Sequence, residues 1–136
     1  MKTFFNGSIK LITPEVFKDN RGHFSEVYNY KFYKEKYRIS DRFVQDNISY
    51  SNFKNTIRGM HLQNKPFEQS KLVFVIKGSI MDIFVDLRKN SKTFGQYASV
   101  ILKSTKKSII EPLITNTNFD CSKGLFCKCI PLIVFL

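Results

Sequence analysis

No stretch of this chain approaches the ~18 consecutive apolar residues that a membrane-spanning helix needs, so no membrane association is expected. Its start, Met1-Lys2-Thr3-Phe4-Phe5-Asn6-Gly7, lacks the apolar h-region of a secretory signal, and the expected location is the cytoplasm. Cysteine is scarce and confined to Cys121, Cys127 and Cys129 near the C-terminal end. A Cys-x-Cys pair without nearby histidines lacks metal-site spacing, and an odd count in a cytosolic chain implies free thiols. Acidic residues are few, 11 against 22 lysines and arginines, which leaves a formal charge of +11. Such a charge invites a nucleic-acid reading. The lysines are scattered, however, and the densest cluster is only Lys103-Ser104-Thr105-Lys106-Lys107. With no helix-turn-helix, RNP-type or zinc-finger pattern, no nucleic-acid partner is expected. There is no internal repeat or flexible linker either, so the 136 residues (1–136) are expected to form a single domain.

What is present is mostly β signal. Lys71-Leu72-Val73-Phe74-Val75-Ile76-Lys77 is a nearly continuous run of β-formers, the pattern of a strand buried on both faces. Gly78-Ser79 then offers a two-residue type II′ hairpin turn. Beyond it Met81, Ile83, Val85 and Leu87 alternate with Ile80, Asp82, Phe84 and Asp86, so carboxylates recur on one face. Residues 43–50 and 97–103 also read as strands. Short strands separated by polar turns predict an all-β sandwich or barrel. One short helix is expected over residues 30–37, where Tyr30, Tyr33 and Tyr37 share a face as core packing.

The most chemically loaded segment is Thr56-Ile57-Arg58-Gly59-Met60-His61-Leu62-Gln63, with Lys71 heading the next strand. An arginine, an imidazole and an ammonium on adjacent β-structure can hold an anion, take a proton and stabilise a developing negative charge. Two further polar clusters lie upstream, Arg21-Gly22-His23-Phe24-Ser25-Glu26 and Gln45-Asp46-Asn47. Together they suggest a site for a phosphorylated small molecule. By strict alternation Arg58 and His61 face opposite ways, so both reach one cavity only if Gly59 bends the strand.

Residues 11 to about 104 resemble the dTDP-4-dehydrorhamnose 3,5-epimerase family. The stretches that carry the resemblance are Phe17 to Glu26, Phe43 to Ser49, Ile57 to Gln63, Gln69 to Val73, Gly78 to Arg88 and Ser91 to Gly95. The resemblance implies a cupin-type jelly roll. It also implies a nucleotide-linked 4-keto-6-deoxyhexose as substrate, whose C3 and C5 hydrogens are acidified by the C4 ketone. His61 would be the base, an imidazole being suited to proton exchange at working pH, with about 10²–10⁴ in rate at stake. Lys71 would sit beside the ketone oxygen, a preorganised donor worth about 3–4 kcal/mol. Arg58 would carry the diphosphate or sugar hydroxyls through its fork of donors. Arg21 and Glu26 would bind the nucleotide portion, with Gln45 and Asn47 offering amide hydrogen bonds. The Arg-Gly-x-Phe segment, which ends at Phe24, would complete the pocket of a neighbouring subunit in a homodimer. Asp82 and Asp86 would support the inner face, while His23 matches no functional position. No metal or redox cofactor is implied.

Related readings are a cupin 3,4-ketoisomerase and a non-catalytic sugar-nucleotide-binding cupin. The segment from about residue 109 onward departs from the family pattern. It lacks the expected second histidine, the tyrosine that serves as opposite-face acid and the late acidic residue. This change of character resembles a truncated or frameshifted reading frame, with incomplete C-terminal strands and impaired activity as the expected consequence. The apolar end Ile130-Pro131-Leu132-Ile133-Val134-Phe135-Leu136 is an aggregation hazard unless it pairs with other strands.

Overall fold

The computed structural model describes residues 1–63, 66–104, 108–112 and 132–135. Among the described residues ten strands and one helix follow one another: β1 (Lys2–Phe4), β2 (Ile9–Ile12), β3 (Phe17–Asp19), β4 (Gly22–Phe24), α1 (Tyr30–Tyr37), β5 (Ile57–Arg58), β6 (Ser70–Phe74), β7 (Ser79–Val85), β8 (Tyr97–Lys103), β9 (Ser108–Pro112) and β10 (Leu132–Phe135). They form two four-stranded antiparallel sheets, ordered β1-β2-β9-β6 and β5-β10-β7-β8, and a separate β3-β4 hairpin. This is a cupin-type jelly roll, as the resemblance implied. Among the described residues no helix is long and apolar enough to cross a membrane.

Period-two alternation decides which side chains meet between the sheets. From one sheet come Ile9 and Leu11, joined by Val73 and Val75. From the other come Ile80, Phe84 and Leu102, joined by Ala98 and Val100. Phe84 meets Phe4 and Phe5 edge-on, with ring centroids 5.2 and 5.8 Å away. Each fully buried large side chain of this kind contributes about 1.5–3 kcal/mol. Ile12, next to Leu11, turns to the opposite face and packs with Tyr33, Tyr37, Ile39 and Leu72. A strand buried on both sides therefore carries apolar residues at successive positions, and β6 follows the same rule through Leu72 and Val73.

Helix α1 covers that second face. Asn29 caps its start by accepting a bond from the Phe32 N–H at 3.1 Å, and Arg38 closes its end in the left-handed conformation. The tyrosine stripe is core at two of its three positions, whereas Tyr30 stays outside the buried cluster with the Arg42 guanidinium over its ring. Tyr33 and Tyr37 are buried, and the Tyr33 hydroxyl donates to the Val27 carbonyl. Burial and the neighbouring Tyr37 push Tyr33 up to about 12, so it stays a neutral donor.

Three expectations need correction. Strand β6 stops at Phe74, so the expected run to Lys77 ends early. Gly78-Ser79 is not a hairpin turn, because β6 and β7 lie in different sheets. The chain crosses from one sheet to the other there, with Gly78 at φ +89°, a conformation glycine enters without a Cβ clash. Residues 43–50 are extended but form no strand among the described residues. A strand exists only through a neighbour's hydrogen bonds, and no described edge of this chain runs alongside them. At the other end of the chain, Ser108–Pro112 lies between β2 and β6, and Leu132–Phe135 lies between β5 and β7. Cys121, Cys127 and Cys129 lie outside the described residues.

Candidate functional site

Strand register shows which of the site residues share a face. Arg58 on β5 stands opposite residue 133 of β10, which stands opposite Asp82 of β7, which in turn stands opposite Val100 of β8. Residues in one row of a sheet project from the same face. Arg58 is therefore on the side of the sheet that carries Asp82, with their backbones two strand spacings, roughly 10 Å, apart. That side is the interior: Asp82 is 0% exposed, and its face-mates Ile80 and Phe84 are in the inter-sheet core. On the facing sheet Lys71 shares the side of Val73 and Val75, which pack into the same core. Lys71 is half-buried and Arg58 exposed, so the cationic end of the inter-sheet space is open to solvent.

The Arg58 guanidinium is oriented from the opposite direction. Its Nε and Nη2 donate to the Ser51 hydroxyl at 3.3 Å, and Nη2 also donates to the Tyr50 carbonyl at 3.1 Å. Strand β5 ends at Arg58, and Gly59 follows at φ +120°, which breaks the alternation before His61. His61 lies beyond it, exposed and outside any strand.

The remaining predicted residues lie away from the sandwich. Arg21 is at the tip of the β3-β4 hairpin and Phe24 is on β4, 68% exposed. Glu26 follows the hairpin and accepts a bond from the Asn29 side chain. Gln45 donates through Nε2 to Asn47 Oδ1 at 3.0 Å, so the two carboxamides on the extended segment are already joined. Segment 43–51 leads directly into the Tyr50 and Ser51 groups that hold Arg58. The structure therefore puts exposed Arg58 and half-buried Lys71 on the facing sides of the two sheets, and leaves Gln45 and Asn47 on the exposed segment that leads to Ser51. It leaves Arg21 and Phe24 on the exposed β3-β4 arm, with Glu26 beyond it beside Asn29.

Asp86 proves to be structural rather than part of this site. Its carboxylate accepts from the Arg88 backbone N–H and guanidinium, from Ser91 and from Thr93, which fixes the loop between β7 and β8. Arg88 also reaches the Phe5 carbonyl at 3.0 Å and ties that loop to the N-terminal hairpin. Two residues with positional roles were not among the predicted site residues: Ser51, which holds Arg58, and Asp19, whose two oxygens bind Arg21. The signal for the second was in the sequence, since an Asp two residues before an Arg in a short hairpin turn favours an Asx-turn.

A profile of the dTDP-4-dehydrorhamnose 3,5-epimerase family matches residues 5–112. The dTDP-4-dehydrorhamnose 3,5-epimerase of Methanothermobacter thermautotrophicus is 45% identical over 108 residues, which cover 79% of this chain and 56% of that protein. The chain spans about half the length of the curated relatives it matches. Among solved structures, the Bacillus anthracis dTDP-4-dehydrorhamnose 3,5-epimerase with TDP and PPi bound has a TM-score of 0.77 at 39% identity, over 98% of this chain and 72% of that one. The Legionella pneumophila dTDP-6-deoxy-D-glucose-3,5-epimerase, in complex with dTDP-4-keto-L-rhamnose, has a TM-score of 0.78 at 34% identity, over 98% and 63%.

Proposed function

The chain belongs to the dTDP-4-dehydrorhamnose 3,5-epimerase family, and from that premise we propose that it binds a dTDP-linked 4-keto-6-deoxyhexose and exchanges the hydrogens flanking its ketone. Residues 1–136 act as one cupin-like unit in the cytoplasm, where nucleotide-activated sugars are made. His61 removes the proton from the carbon beside the C4 ketone. The Lys71 ammonium stands against the ketone oxygen as negative charge gathers there, a contact that strengthens in the transition state and so lowers the barrier. Arg58 takes the diphosphate or a sugar hydroxyl, and Gln45 and Asn47 hydrogen-bond the nucleotide. Arg21, Phe24 and Glu26 complete the nucleotide site of a second copy of the chain.

One observation carries this reading: Arg58 and Lys71 belong to the interior faces of two opposed sheets, whose spacing is about 10 Å. Two cations on the facing sides of opposed sheets, with Arg58 at the solvent-exposed edge of the space that buries Asp82, suit an anionic ligand. The homodimer has separate support. Phe17, Phe24, Val44, Ile48 and Tyr50 are large apolar side chains left exposed on the arm and the extended segment, where a partner copy would cover them.

The test is deuterium uptake by the 4-keto sugar nucleotide in deuterated buffer, read by mass spectrometry. His61→Asn is expected to lower the exchange rate by about 10²–10⁴. His61 is exposed, so the substitution should leave the fold intact. Equal uptake by the variant and the unmodified chain would remove the base assignment.

A second reading is binding without turnover, and one observation favours it. Tyr97, the tyrosine of β8, projects 75% exposed from the outward side of that strand. It stands on the side of the sheet away from Asp82 and Val100, and so away from the space between the sheets. Calorimetry with dTDP beside product analysis separates the two readings: heat of binding with no epimer formed favours the binder.

A further inference from the structure

Strands β3 and β4 form a two-stranded arm whose six residues are all exposed. Isolated hairpins of this size are marginal in water, so whatever aims this one must be local. Its base is tied down. The Ser25 hydroxyl donates to the Glu15 carbonyl at 2.6 Å, and the Glu15 carboxylate pairs with Lys36 on α1. Its tip is tied as well. Asp19 Oδ1 accepts from the Arg21 backbone N–H at 2.8 Å, while Oδ2 accepts from Arg21 Nε at 3.1 Å and Nη2 at 2.6 Å.

Three donors of one residue on one carboxylate is more order than an exposed turn requires. The Arg21 side chain is 86% exposed, so this pair contributes little to the fold. It does determine where the guanidinium points. With Nε and one Nη2 hydrogen on Asp19, the other edge of the fork, at Nη1, faces away from the hairpin. We infer that Asp19 is a positioning residue, which presents the outer edge of the Arg21 guanidinium to the diphosphate of a nucleotide held by a second copy of this chain. The inference rests on the reading of Arg21 as a nucleotide-binding residue.

Two effects oppose each other at this pair. The Asp19 charge offsets part of the field felt by an incoming anion, but it lies behind the guanidinium and is screened by solvent. Restricting a long, rotamer-rich side chain before binding removes an ordering cost from the association itself. Bidentate contact to phosphate oxygens depends on fork orientation, so preorganisation wins.

The experiment is calorimetric titration of the full chain with thymidine diphosphate. The variants are Asp19→Ala, Asp19→Glu, Arg21→Ala and the double variant Asp19→Ala/Arg21→Ala, with thermal melting of each alongside. Asp19→Ala should weaken binding roughly three- to tenfold, the range for ordering one such side chain. Asp19→Glu should recover part of it, and the double variant should bind no more weakly than Arg21→Ala alone. Melting temperatures should not move. Unchanged or tighter binding by Asp19→Ala, with Arg21→Ala weak, overturns the inference and leaves the reading of Arg21 standing. Additive losses, or a loss that tracks a lowered melting temperature, overturn it too. If Arg21→Ala binds like the unmodified chain, or the unmodified chain does not bind, the reading of Arg21 falls and the inference falls with it.

Discussion

The space between the two sheets and the β3-β4 arm are built by opposite rules. Ile9, Leu11, Ile80, Phe84 and Leu102 are removed from water, and each is held by neighbours from the opposed sheet. On the arm, Phe17 and Phe24 are cross-strand partners that stay 60% and 68% exposed. Burial of the first kind stabilises the chain by itself, whereas exposure of the second kind stabilises only a complex. Folding and recognition are therefore separable in this molecule, and substitutions should report on one without the other.

The contrast breaks most sharply at Phe84. Phe84→Ala removes the ring that Phe4 and Phe5 both contact and leaves a cavity, and should cost about 3–5 kcal/mol. A guanidinium melt that shows less than a third of this would mean that the interior repacks freely. Asp86→Asn comes next. Asp86 is 4% exposed, and losing its ion pair with Arg88 should destabilise by about 3 kcal/mol.

That residue also predicts a pH dependence. Burial pushes the Asp86 carboxyl up, but the bonds from Arg88, Ser91 and Thr93 outweigh burial and hold it below the ordinary carboxylate range. A depressed folded value favours the folded state above the unfolded value of about 3.9 and loses that contribution as pH falls. The unmodified chain should lose stability below about pH 5, and Asp86→Asn should show a flatter acid limb. Parallel limbs would assign the acid sensitivity elsewhere.

Smaller effects sharpen the same comparison. Asn29→Ala removes the cap of α1, which lies between the packed body and the arm, and should cost about 1 kcal/mol in the same melt. Phe24→Ala should change unfolding by less than about 0.5 kcal/mol. It should nevertheless reduce self-association in sedimentation, because the ring is proposed to be covered only by a second copy. A large loss of intrinsic stability at Phe24 would erase the distinction between the two regions.

Local pattern was legible where one chain segment supplies its own evidence. The helix over residues 30–37 and the strand over residues 97–103 appear at their expected bounds. The alternation of Asp82 and Asp86 with Met81, Ile83 and Val85 correctly separated two faces. That the carboxylate-bearing face is the buried one came from the family resemblance, which set Asp82 and Asp86 on the inner face, and not from the alternation. Residues 43–50 have the composition of a strand, yet no described partner pairs with them. Gly78-Ser79 has the chemistry of a hairpin turn but links two different sheets. In both cases the missing information was the identity of a neighbour distant in sequence.

By itself the amino-acid order determined the β-rich class, the family and the residue types available for chemistry, because periodicity and motif spacing are local properties of the chain. Only tertiary structure decided that Arg58 shares a row with Asp82, and that Lys71 shares the opposing interior with Val73. Those neighbours are set by hydrogen bonds between strands far apart in sequence. A one-residue slip in that pairing would turn the same side chains to the other face.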